Sequence, residues 1–75
     1  MKDDKLYLIH IGECIERIDS YVQGIDKEAF IASSLVQDAV IRNLQIMAES
    51  TQRLSDRLKE NHGEIDWYKI AGFRN

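Results

Sequence analysis

The sequence predicts an all-α fold, an antiparallel bundle of about four helices with the last one incomplete. Three observations carry this reading. Apolar residues recur three and four positions apart along most of the chain, the repeat of one face of a helix. No proline occurs in the 75 residues, so nothing breaks a helix from within. Gly12, Gly24, Gly63 and Gly72 stand well apart, so no stretch reads as a linker or a repeat, and residues 1–75 form a single domain.

The first helix is expected from Asp4 to about Gln23, where Leu8, Ile11, Ile15, Ile18 and Val22 make the apolar stripe and Tyr7, Cys14 and Tyr21 widen it. Asp3 and Asp4 place negative charge at its start, and Gly24 can adopt the left-handed conformation that closes a helix. Asp26 can cap a short helix from Lys27 to about Ala32, with Phe30 and Ile31 turned to the bundle. Ser34 followed by Gln37 reads as a capping box opening the longest helix, from Leu35 to about Glu60. Within it Val40, Leu44, Met47, Thr51, Leu54 and Leu58 hold the helical spacing. Asp66 is a good N-cap for a last helix from Trp67 to Asn75, and Ile65 and Ile70 are spaced as a hydrophobic staple. No glycine stop follows Phe73, so this helix is expected to be cut short, in a chain that is C-terminally truncated.

Composition bounds the function. Ten basic against thirteen acidic side chains give a net charge of −3, so there is no basic excess to drive nonspecific nucleic-acid binding. The apolar runs are too short for a membrane span or a signal peptide, and a cytoplasmic location is expected. One cysteine, Cys14, cannot form an intrachain disulfide or a cysteine-based metal site. No glycine-rich phosphate loop, nucleophile elbow or metal motif is present, and no cofactor is expected. A core this small favours dimerisation.

What remains is polar patterning. Asp38, Arg42, Gln45, Glu49, Gln52 and Asp56 form a stripe along the long helix. It reads either as a solvated face with Asp38–Arg42 and Glu49–Arg53 pairs, or as the lining of a cleft or dimer interface. His10 and His62 read as surface or structural residues. Arg74, followed by the Asn75 amide, can clamp a phosphate or carboxylate.

Two segments together, Arg42-Asn43-Leu44-Gln45-Ile46-Met47-Ala48-Glu49 and Ile65-Asp66-Trp67-Tyr68-Lys69-Ile70-Ala71-Gly72-Phe73-Arg74-Asn75, resemble the HEPN superfamily in its HepT-like toxin branch. The likeness covers essentially the whole chain, and the order of elements agrees. That family's catalytic motif is Arg-x(4–6)-His with a tyrosine beyond it; here the arginine maps to Arg74 and the following polar residue to Asn75, while the histidine and tyrosine are absent. The resemblance implies a HEPN-like bundle and a metal-independent ribonuclease acting as a homodimer. It also implies a toxin partnered by a minimal nucleotidyltransferase antitoxin that adds AMP to the tyrosine. Without the histidine, the 75-residue chain is expected to be inactive in proton transfer. The alternative is a catalytically inactive helical dimer that serves as a binding module for a nucleotidyltransferase, and a generic helical domain with an accidental Arg-Asn end is the third reading.

Overall fold

A computed structural model describes residues 4–74. The described chain is all-helical: α1 (Asp4–Val22), α2 (Lys27–Ala32), α3 (Ser34–Gln52), α4 (Asp56–Asn61), α5 (Trp67–Ala71) and a closing 3₁₀ turn, η1 (Gly72–Arg74). The all-α expectation holds. Helices α1 and α3, 19 residues each and about 28 Å long, pack along one another and make the body of the molecule. They run antiparallel, since the Asp4 carboxylate at the start of α1 accepts hydrogen bonds from Ser55, just past the end of α3. The radius of gyration is 14.0 Å. A compact domain of this length would have about 11 Å, so the molecule is elongated and its interior thin. Among the described residues only Cys14, Ala48 and Leu54 are buried apolar residues.

Local chemistry sets the boundaries. Gly24 takes φ +74, and Ile25 N–H closes the turn onto the Val22 carbonyl at 3.1 Å. Asp26 caps α2, its carboxylate accepting from Ala29 N–H at 2.8 Å.

Four local expectations are corrected. The cap of α3 is Ser33 rather than Ser34, because Ser33 is the extended residue (φ −111, ψ 100) whose hydroxyl accepts from Val36 N–H. The capping box does not form: the Gln37 amide instead donates to the Phe30 and Ile31 carbonyls, at 2.9 and 2.7 Å, and satisfies the end of α2. The long helix does not reach Glu60. It closes at Gln52, where Arg53 and Leu54 N–H turn to the Ser50 and Thr51 carbonyls, and Ser55 (φ −66, ψ 153) starts α4 as its N-cap. The expected last helix is divided as well, with α5 tightening into η1 at Gly72, and Asn75 lies outside the described residues.

Candidate functional site

The end of the described chain is built from α4 backwards. Asp66 caps α5 by accepting from Lys69 N–H at 3.0 Å. The Trp67 indole N–H is shared between the Lys59 and His62 carbonyls, both at 3.2 Å, which ties the start of α5 to the end of α4. Ile65 and Ile70, the residues of the expected staple, line one and the same groove. That groove, about 310 Å³, runs between α1, α3 and the α5–η1 segment, with Leu8, Leu44, Met47, Ala48, Leu54 and Phe73 among its walls. Phe73 therefore seats η1 on α3, and its neighbour Arg74 stays exposed.

Arg74 makes no hydrogen bond or ion pair with another described residue. An unpaired guanidinium at the end of an anchored turn can present two parallel N–H donors to a phosphate. The stripe on α3 is placed as follows: Asp38, Arg42 and Glu49 are exposed and Gln45 is half-buried. The Asp38–Arg42 and Glu49–Arg53 pairs do not form, so the stripe is not a ladder of ion pairs. Arg74 and the stripe share only the contact between η1 and α3, and no hydrogen bond links them.

Sequence reasoning places Asn43 in the segment that resembles the family but does not foresee its burial. It is 6% exposed, its amide donates to the Ala39 carbonyl at 3.0 Å, and its Oδ1 is buried without a partner. Spacing alone offers no signal for this, since Asn43 sits between the apolar and polar stripes of α3. His10 is exposed and meets Tyr7 edge-on, ring centroids 6.3 Å apart. His62, exposed, has its Nδ1 3.5 Å from Glu64 and lines a polar cleft with Asp4, Ser55, Arg57, Leu58 and Asn61. In that cleft the Asp4 carboxyl is held below its usual range, first by the Ser55 hydroxyl and then by the Ser55 backbone N–H. Among the described residues no group of three or more His, Cys, Asp or Glu side chains converges as a metal site, and no helix is long and apolar enough to cross a membrane.

Comparison with known proteins follows the same residues. The family profile described as ribonuclease HepT-like matches residues 11–75. The chain belongs to the ribonuclease HepT-like family. A protein of Methanocaldococcus jannaschii, named as a gamma-glutamylcyclotransferase and a provisional RNase, is 38% identical over 99% of this chain and 33% of its own length. A provisionally named RNase of Caldanaerobacter subterraneus subsp. tengcongensis is 33% identical over all of this chain and 67% of its own length. A protein of Thermococcus cleftensis named probable ribonuclease HepT is 35% identical over 99% of this chain and 67% of its own length. The chain thus spans a third of the first of these relatives and about two thirds of the other two. No solved structure matches it. Resemblance to the HepT-like branch, first read from the Arg42–Glu49 and Ile65–Asn75 segments, is thereby established as family membership.

Proposed function

We propose that this chain is the toxin of a toxin–antitoxin pair, a HEPN ribonuclease that cleaves RNA, in which Arg74 binds the scissile phosphate. The observation that carries the reading is the exposed Arg74 at the end of η1, without a partner among the described residues and next to Phe73 in the groove, in a chain of the ribonuclease HepT-like family. In the reaction the ribose 2′-hydroxyl gives up its proton and attacks phosphorus, the bond to the 5′-oxygen breaks, and that oxygen takes a proton. Arg74 stabilises the charge that builds on the phosphoryl oxygens, with Asn75 next to it in sequence. Proton transfer belongs to a histidine at the family's spacing after the arginine, a position that these 75 residues do not include. No interaction joins His10 or His62 to Arg74, so neither is given that role.

Two copies meeting across η1 and the α3 stripe would form the homodimeric cleft, and the minimal nucleotidyltransferase antitoxin would be the further partner. Exposed apolar side chains support such contacts: Leu8 and Ile15 on α1 and Phe73 on η1 are each about half exposed. A second reading, a binding module without catalysis, is favoured by the net charge of −3.

The test is cleavage of single-stranded RNA by the protein expressed from its own coding DNA read to the stop codon, with Arg74→Ala beside it. Losing the guanidinium should lower the rate by about 10²–10³, the usual effect of removing one such donor. Equal cleavage by both proteins would remove Arg74 from the mechanism. No cleavage by either, together with a stable dimer in light scattering, would favour the binding module.

A further inference from the structure

Where α3 gives way to α4, a polar cleft of about 360 Å³ opens beside the start of α1, lined by other residues than the apolar groove that seats Phe73. Among the described residues that line it, the formal cation besides a protonated His62 is Arg57, which is exposed and makes no hydrogen bond or ion pair with another described residue. Arg57 and Asn61 stand four positions apart on α4 and so share a face of it. The Asp4 carboxylate bonds Ser55 and not Arg57: Oδ1 accepts from Ser55 N–H at 2.9 Å and Oδ2 from the Ser55 hydroxyl at 2.7 Å. His62 Nδ1 lies 3.5 Å from the Glu64 carboxylate, and Nε2 makes no hydrogen bond with another described residue. The far wall is fixed too, because the Trp67 indole pins the Lys59 and His62 carbonyls.

We propose that this cleft is a phosphate subsite for an RNA strand, Arg57 supplying the charge and Asn61 and His62 the polar contacts. This rests on the ribonuclease reading for its substrate class, but uses none of the residues of that reading. The acidic rim, Asp4 and Glu64, cancels much of the positive charge. The cleft therefore takes one phosphodiester of a strand that is also held elsewhere, and binds a free anion weakly. Such a subsite sets where along the strand the protein engages, without contributing to bond cleavage.

The experiment is an amide-resonance titration of the ¹⁵N-labelled 75-residue chain with a six-nucleotide RNA carrying 2′-O-methyl groups, which block the nucleophile, at low salt. The resonances of Arg57, Asn61 and His62 should shift. Arg57→Gln should weaken binding about three- to tenfold and lessen the salt slope by about 0.7, the share of one phosphate contact on a single strand. Arg57→Lys should retain most of the affinity, and thermal melting verifies that each variant is folded. Shifts confined to other residues, or binding untouched by Arg57→Gln, would overturn the subsite, as would no binding at all. Inorganic phosphate is the second probe; affinity equal to that for RNA would mean a free-anion site and would overturn the strand assignment. Failure of the ribonuclease reading shows separately, as cleavage insensitive to Arg74→Ala.

Discussion

Replacing Leu54 by alanine tests the account of the core most directly. Leu54 is 4% exposed at the point where α3 ends, and it lines the groove with Leu44, Met47 and Trp67. A fully enclosed leucine loses about 2–5 kcal/mol on truncation to alanine, the lost transfer energy plus the cavity left behind. Here the groove is already open on one side, so water reaches the vacated space and the cavity contribution is small. The expected loss is therefore at the low end, about 2–3 kcal/mol. For 75 residues the whole stability is on the order of 4–11 kcal/mol, so this one substitution removes about a fifth of it or more. The assay is urea unfolding followed by circular dichroism at 222 nm, with the midpoint converted through an unchanged slope. Leu35→Ala is the internal control: that residue is 80% exposed and its loss should stay within about 0.5 kcal/mol. If both variants cost the same, Leu54 does not anchor the junction of α3 and α4, and the reasoning fails.

Two further predictions probe the boundaries. Ser33→Ala should destabilise by about 1 kcal/mol while Ser34→Ala changes little, because only the Ser33 hydroxyl accepts a backbone N–H; the reverse order in thermal melts would restore Ser34 as the cap. Asp4→Asn should narrow the pH range of stability. The Asp4 carboxyl is depressed below its ordinary 3.8 by the Ser55 hydroxyl and backbone bonds, so its contribution is fully present above that value and fades as pH falls through the lower folded-state value. The gap between wild type and Asp4→Asn should accordingly be widest at neutral pH and close in strong acid; a gap constant across that range would show that Asp4 does not titrate against Ser55.

The elements most legible in sequence were those whose signals are local. Gly24, Asp26 and Asp66 each act on backbone groups within three residues, and all three do what their chemistry predicts. The long helix misled because its apolar spacing continues from Met47 through Leu58 across the break. Ser55-Asp56 was a capping signal in plain view, and the periodicity overrode it. At the site, the Arg42–Glu49 and Ile65–Asn75 segments carried enough pattern to reveal the family, whereas the buried Oδ1 of Asn43 and the unpaired Arg57 carry none.

By itself the sequence determined that this protein is helical, where α1 and α2 run, and to which family it belongs, because periodicity, caps and motif residues act over a few positions. Tertiary structure decided the rest. Asp4 reaches 51 positions along the chain to bond Ser55, just where the long helix ends, and Trp67 bridges back to α4. The first joins residues remote in sequence and the second joins two successive helices, and such contacts choose among local conformations that the chain alone leaves nearly equal in energy.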